Sequence, residues 1–445
     1  MMAGVLGNLH RGNYAAALVQ ALTKFIDQEA RFYKGHTAEH YAYLVALAVT
    51  SGKHLNTVIE GGRANLSSLP SKSSVFRRLE HITNQRARDL TQPTTLAIAV
   101  DYARIKGFSE VELCLDETDL PSSANRRRKG QNRKLTQVGQ LTKFSKHGHK
   151  LKPNGRGPNL HAFLDKILFG VEYLVLVARF PDGAKFPLWT VFVDPIRHPT
   201  VERLTRECQA AIQHFQGCGI KTTFIGDRRW DSQDSWLFLG RVIENGSWVV
   251  PLRTRGGKYP FKGGKSTAAR QSARNERGNR TVLDCIEQEW LNAVKLPGAH
   301  GKWISTTTSH IRVHSAKEQH LVIQYWTQPT NIRLGNVVEL WKDVKAQAFV
   351  VGHHCDIDEG ARMLEVYRHR WDGSEEGIRL LKSVEPHAAG PRMGVRLVML
   401  NSACVATCIV TWITRATGNQ QHASHAIAGI SKQLYLRREA PLRQV

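Results

Sequence analysis

Tyr367, Arg370, Glu375 and Lys382 stand within sixteen positions of one another in the stretch YRHRWDGSEEGIRLLK. An aromatic hydroxyl, a planar guanidinium and an ammonium suit phosphate oxygens, and a carboxylate suits a hard metal ion. Glu375 and Lys382 are seven apart, which is two helical turns, so both can project from one face. That face would set a carboxylate and a cation along one phosphodiester. Two further acids close short apolar runs, Asp116 after VELCL and Asp227 after TTFIG, with Glu117 and Asp119 just beyond the first. Two strand-terminal aspartates and one helix-borne glutamate are what a pair of divalent cations needs. Magnesium prefers carboxylate oxygens and keeps waters that it can share with a phosphate. With two ions about 3.5 to 4 Å apart, one generates the attacking hydroxide and the other stabilises the leaving 3′ oxygen. The competing reading of the YRHRW stretch is a solvated helix whose Arg370 and Lys382 balance Glu365, Glu375 and Glu376 as ion pairs.

The elements that must hold these groups can be read from the hydrophobic pattern. Asp358 to Val366 carries Ala361, Met363, Leu364 and Val366 and reads as a helix delivering the YRHRW segment. Val111 to Asp116 reads as a buried strand whose end presents Asp116. Val171 to Ala178 and Pro187 to Asp194 form a hairpin about the Asp-Gly of RFPDGAKF. Thr200 to Gln216 is a helix, with Leu204, Cys208, Ile212 and Phe215 on one side. Thr222 to Asp227 is a strand, Ser232 to Leu239 a helix and Trp248 to Leu252 a strand. This order predicts a mixed α/β fold in which strands joined through a helix pair in parallel. If the first and fourth strands are neighbours, Asp116 comes beside Asp227. Between 303 and 341 the runs WIST, IRVH, HLVIQYW and VVELW read as a β-rich insert, and Phe349 to Val351 returns the chain to the sheet.

Residues 1 to 105 read as helical, and Ser67 to Arg88 predicts a helix with Val75, Leu79 and Ile82 inside and Arg77, Arg78, Arg86 and Arg88 alongside. The expected division is a helical DNA-binding domain over 1–105, a catalytic domain over 106–255 and 346–395, a β-rich insert over 256–345 and a helical region over 396–445. Leu397 to Thr414 has no charge, but Asn401, Ser402, Thr407, Thr411 and Thr414 favour a buried helix over a membrane span.

Lys and Arg number 62 against 38 acids in 445 residues, a formal charge of +24, which points to a polyanionic partner, nucleic acid before membrane. Pro121 to Gly157 carries eleven cations, Arg126, Arg127, Arg128 and Lys129 among them, with no acid, and Arg255 to Arg280 is again basic. FKGGKST fails as a phosphate loop, because the motif needs Gly where Tyr259 stands. His353, His354 and Cys355 are adjacent and lack a partner cluster, which argues against a metal site. Seven cysteines with no CxxC pair and no signal peptide at MMAGVLGNLHRGNY fit a reducing cytoplasm.

Taken together, LCLDETDL around Asp116, FIGDRRWD around Asp227, and Tyr367, Arg370, Glu375 and Lys382 resemble the DDE transposases of bacterial insertion sequences, in the group with the YREK signature. The resemblance covers about Val111 to Lys382. It implies a ribonuclease-H-like mixed sheet with helices, a β-strand insert before the last acid and an α-helical N-terminal domain. It further implies that Asp116, Asp227 and Glu375 hold two Mg²⁺ ions, with Mn²⁺ able to substitute. Tyr367, Arg370 and Lys382 would grip phosphates of the element's end, and Arg228 would help to position DNA. The implied activity is cleavage at the element's ends and joining of the 3′ ends to target DNA. The implied partners are both DNAs and a second copy of the chain in the DNA complex, with no membrane, no nucleotide cofactor and a nucleoid-associated cytoplasmic location. One departure is that WDGS puts four residues between Arg370 and Glu375 where the family has three, so Glu376 stands as the reserve for the third acid. The alternatives are a ribonuclease-H-like nuclease without strand transfer, and a catalytically decayed protein that binds element ends as a repressor.

Overall fold

The computed structural model describes residues 2–26, 36–65, 69–121, 142–144, 168–192, 207–226, 230, 233–251, 294–297, 303–313, 317–327, 345–351, 366–367, 369–370, 373, 376–384, 393–416 and 422–437. In chain order the elements are α1 (Met2–His10), α2 (Tyr14–Leu22), α3 (Ala38–Ser51), α4 (Leu55–Asn65), α5 (Lys72–Leu79), α6 (Asn84–Lys106), β1 (Glu110–Pro121), β2 (Thr142–Phe144), β3 (Leu168–Arg179) and β4 (Lys185–Phe192). They continue as α7 (Gln209–Gly217), β5 (Lys221–Ile225), α8 (Gln233–Val242), β6 (Gly246–Pro251), β7 (Val294–Pro297), β8 (Trp303–Val313), β9 (Lys317–Thr327), β10 (Lys345–Val351), α9 (Glu376–Val384), α10 (Met393–Ala416) and α11 (Ala423–Arg437). The fold is mixed α/β, as the order of patterns predicts. The chain forms two compact units, one of Met1–Phe108, Asp116–His198 and Gly373–Val445, the other of Ser109–Leu115 and Pro199–Asp372.

The first unit is built on α10. This helix is long and apolar enough to cross a membrane by length and composition, yet 94% of its most apolar stretch is buried inside the protein. Its polar residues explain why. β4 pairs antiparallel with β3, and the carbonyls and amides that face away from β3 are met by side chains of α6 and α10. Asn401 accepts from the Thr190 amide at 3.1 Å and donates to the Thr190 carbonyl at 3.0 Å, acting as one residue of a strand. Asn84 does the same for Phe192, at 2.8 Å each way. Thr95 Oγ1 donates to the Leu188 carbonyl at 2.7 Å, Cys408 Sγ to that of Pro187 at 3.3 Å and Thr411 Oγ1 to that of Lys185 at 3.0 Å. The register shifts at Leu176/Val177, which opposes Val177 to Pro187 and leaves Leu188 out of the pairing. Carbonyls therefore face outward at 188, 190 and 192 above the bulge and at 185 and 187 below it, and Pro187 has no amide to satisfy. A buried sheet edge needs this full pairing, since an orphaned backbone group costs about 1 to 3 kcal/mol.

The β3–β4 turn follows the Asp-Gly signal: Gly183 has φ +79°, its amide donates to the Phe180 carbonyl at 2.8 Å, and Phe180 donates to Ala184 at 2.9 Å. Asp182 accepts from the Ala184 amide at 3.0 Å and, with its other oxygen, from the buried Tyr102 hydroxyl of α6. Burial first, and that hydrogen bond second, push the Tyr102 hydroxyl well above its ordinary value. The helix expected over Ser67 to Arg88 is instead two. α5 ends at Leu79 and α6 restarts after a turn, because Thr83 Oγ1 takes the Arg86 amide at 3.2 Å and caps a new helix.

In the second unit β5 pairs in parallel with both β1 and β6, with Cys114 opposite Ile225 and Ile225 opposite Val249. α8 makes the crossover from β5 to β6. Gly246 opens β6 at φ +145°, and a Cβ there would stand 1.8 Å from the Thr222 carbonyl oxygen, so only glycine allows this approach. β10 pairs antiparallel with β6 and with β9, and β9–β8–β7 continues as a meander. The β-rich insert expected before the last acid is therefore an extension of the same sheet, entered through β10. Two boundaries differ from expectation. β1 does not stop at Asp116 but runs on to Pro121, because only its pairing to β5 ends at Cys114. Helix is described from Gln209, with Glu207 and Cys208 in a turn, and residues 200–206 of the expected helix lie outside the described residues.

Candidate functional site

β1 alternates its side chains, so Glu112, Cys114 and Asp116 belong to one face of the strand. Cys114 is fully buried, while Glu112 and Asp116 on either side of it are half-buried. On this face His369 Nδ1 lies 3.0 Å from Glu112 Oε1. A carboxylate only accepts, so the ring nitrogen donates. The bond fastens the YRHRW segment to β1 four residues before Asp116. Residues 366–367 and 369–370 are helical, as the upstream pattern predicts. Within this turn the Arg370 guanidinium carbon sits 5.9 Å from the centre of the Tyr367 ring, a cation–π arrangement. Arg370 is half-buried, with Nε and Nη1 shut off from solvent, which is not the state of an arginine on a solvated helix.

In the first unit helix is described at Gly373, in a π-helical turn, and over α9 from Glu376. Glu376 is ion-paired with Lys185 at the start of β4, the lysine side chain being 11% exposed. The surface-helix expectation gave Glu376 to Arg370 or Lys382; its described partner comes from the hairpin, and the side chain of Lys382 lies outside the described residues. Gly377, Ile378 and Leu381 face inward and Arg379 outward, a helical spacing of apolar groups that lays one face of α9 on the core. At Gly377 the helix comes so close to β3 that a Cβ would stand 2.9 Å from Val177 Cγ1. Backbone contact and ion pair together hold this stretch of α9 against the hairpin.

Asp116, Tyr367 and Arg370 are thus among the described residues, and the backbone of Lys382 lies in α9. Asp227, Arg228 and Glu375 lie outside the described residues, as do Arg126, Arg127, Arg128 and Lys129, the segments Arg255–Arg280 and FKGGKST, and His353–Cys355. Among the described residues no group of three or more His, Cys, Asp or Glu is placed to hold a metal ion. Three residues with a structural part in this arrangement were not singled out from sequence. Glu112 had a signal, being the one charge inside VELCL and in phase with Asp116. His369 had a weaker one, between Tyr367 and Arg370. Lys185 had none, because its partner is 191 residues away.

No protein-family model matches the chain, and no curated protein matches it. Among solved structures, the chain is similar to the piggyBac transposase in a cryo-EM structure of its synaptic complex with hairpin DNA. The TM-score is 0.39 and the identity 12%, over 95% of this chain and 78% of the other.

Proposed function

We propose that this protein is a DNA transposase of the DDE type, of the YREK-signature group found in bacterial insertion sequences, with a ribonuclease-H-like catalytic domain over 106–255 and 346–395. It binds the ends of its element, cleaves them by magnesium-dependent phosphodiester hydrolysis and joins the 3′ ends to target DNA. The observation that carries this reading is the parallel pairing of β1 with β5, which sets Cys114 opposite Ile225. Asp116 and Asp227 each follow that pair by two residues in sequence, the equal offset that a shared metal site at two neighbouring parallel strands requires. The His369–Glu112 bond adds that the segment bearing Tyr367 and Arg370 is held on the strand bearing Asp116.

The donor set fits magnesium, since all three proposed ligands, Asp116, Asp227 and Glu375, are hard carboxylates and the described one is half-buried at the end of an apolar strand run. Two bound Mg²⁺ ions would supply the nucleophilic hydroxide and stabilise the departing 3′ oxygen. The chain's own groups do the rest. Arg370 would offer its guanidinium charge to a phosphate, beside the Tyr367 ring. Lys382 and Arg228 add charge along the strand, and Arg126, Arg127, Arg128 and Lys129 contribute sequence-independent attraction to DNA. The partners are the element's ends and target DNA, the working form is a dimer on DNA, and the location is the nucleoid of a bacterial cytoplasm. Cleavage of cognate end DNA by the Asp227→Ala protein tests the assignment, with wild-type, Mg²⁺-dependent cutting by that variant as the result that overturns it. Strand transfer from pre-cut ends separates a transposase from a nuclease with the same metals, because only the former yields joined products.

A further inference from the structure

The first unit carries a second cationic feature that the proposed site does not use. The β3–β4 turn, α9, the end of α10 and the start of α11 enclose an open cleft of about 840 Å³. Its walls include Lys185, Glu376, Arg379, Arg415, His422 and Ser424, over a floor that includes Leu380 and Ile427. Lys185 and Glu376 neutralise each other. That leaves Arg379 and Arg415, both exposed, as the other cations of the cleft wall, Arg415 being near enough to the Tyr102–Asp182 pair to act on it. His422 Nδ1 and Ser424 Oγ, 2.9 Å apart, add a hydroxyl and a ring nitrogen at the mouth. α11 opens at Ala423, which also lines the cleft.

We infer that this cleft binds the sugar–phosphate backbone of DNA, with Arg379 and Arg415 as its two phosphate contacts and the apolar floor under the deoxyribose. The class of ligand follows from the shape and the chemistry together. A closed pocket with the same charge would suit a small anion, whereas an open cleft with two guanidinium groups, the hydroxyls of Thr411, Thr414 and Ser424 and apolar Leu380 and Ile427 suits a polymer whose phosphates alternate with sugars. Its place in the chain gives it a use. Glu376 lines the cleft and is the neighbour in sequence of Glu375, the proposed third acid. The inference deepens the transposase reading and rests on it.

The test is a fluorescence-anisotropy titration of labelled duplex DNA at several salt concentrations, using the full chain. The variants are Arg379→Gln/Arg415→Gln and, as a control with the same charge loss, Arg104→Gln/Lys106→Gln at the exposed end of α6. Each phosphate contact contributes roughly 0.9 to the slope of log K against log salt, so the cleft variant is expected to lower that slope by about 1.8. The control is expected to change it by much less. Both cleft arginines are exposed, so matched circular dichroism and melting curves verify folding. A slope unchanged in the cleft variant, or changed equally in the control, overturns the inference. Cleavage of the same duplex by wild-type and Asp116→Asn protein is measured alongside. Cutting by Asp116→Asn would sink the transposase reading and leave the salt slopes standing, and an unchanged slope would sink the cleft and leave cleavage standing.

Discussion

Replacing Gly377 by Ala should destabilise the protein, although alanine is the better helix former, and the structure says by how much. A methyl at 377 would lie 2.9 Å from Val177 Cγ1 and 3.1 Å from Cγ2. Val177 is fully buried in β3, and a β-branched side chain has one strongly preferred rotamer, so it cannot swing aside. Overpacking of this kind costs about 1 to 3 kcal/mol. Helix propensity returns up to about 1 kcal/mol. The net loss is then about 1 to 2 kcal/mol, or roughly 2 to 4 °C of Tm per kcal/mol for a body of this size. In a Val177→Ala background the clash is gone and the propensity gain remains, so the same Gly377→Ala change should be neutral or stabilising. The sign of the effect reverses between backgrounds. Function should follow packing, because α9 follows Glu375 directly. A displacement near 1 Å at a catalytic group costs about a hundredfold in rate, so Gly377→Ala should cut DNA ten- to a hundredfold more slowly and recover in the double variant. Thermal unfolding of the four proteins, with cleavage rates on the same preparations, measures both. Equal stability changes in the two backgrounds would refute the close approach of α9 to β3.

Asn401→Ala should cost about 3 to 5 kcal/mol by chemical denaturation, since it strands the Thr190 amide and carbonyl at about 1 to 3 kcal/mol each and opens a small cavity; a loss under about 1 kcal/mol would show that β4 does not depend on α10. His40 accepts from the Thr37 amide at 3.0 Å, and burial, then His36, hold its pKa below the ordinary value of 6.5, with Glu39 opposing. The unfolded chain therefore binds the proton more readily, so stability should fall as pH drops from about 6.5 through the folded pKa, and His40→Gln should flatten that part of the profile of Tm against pH. His369→Ala should slow cleavage at least tenfold with little change in Tm, and His369→Gln, which keeps a donor for Glu112, should recover part of the rate; identical rates in both variants would remove the anchoring role.

What was legible in the sequence was local. The hairpin was readable because Asp182 and Gly183 are a turn signal in their own right, and β5 and β6 because short apolar runs flank an amphipathic helix. The break between α5 and α6 was missed although Thr83 announces it, since Val75, Leu79 and Ile82 keep a helical period across the turn and periodicity outweighed the cap. The polar residues of α10 argued against a membrane without revealing their work, because Asn401 and Thr190 are 211 residues apart. The site divides in the same way. Tyr367 and Arg370 are three positions apart on a helical turn, and their pairing follows from spacing. The contact of His369 with Glu112 spans 257 residues and needs the sheet to exist first. The adjacent Glu375 and Glu376 show best where pattern fails. Successive residues on a helix point about 100° apart, so spacing to Lys382 favours one acid without explaining the other. Lys185, brought by the β3–β4 hairpin, explains the other. Glu376 is the anchor that seats α9, and an acid occupied by an ion pair is poorly placed to be a metal ligand as well. Glu375, which lies outside the described residues, is left as the proposed third ligand.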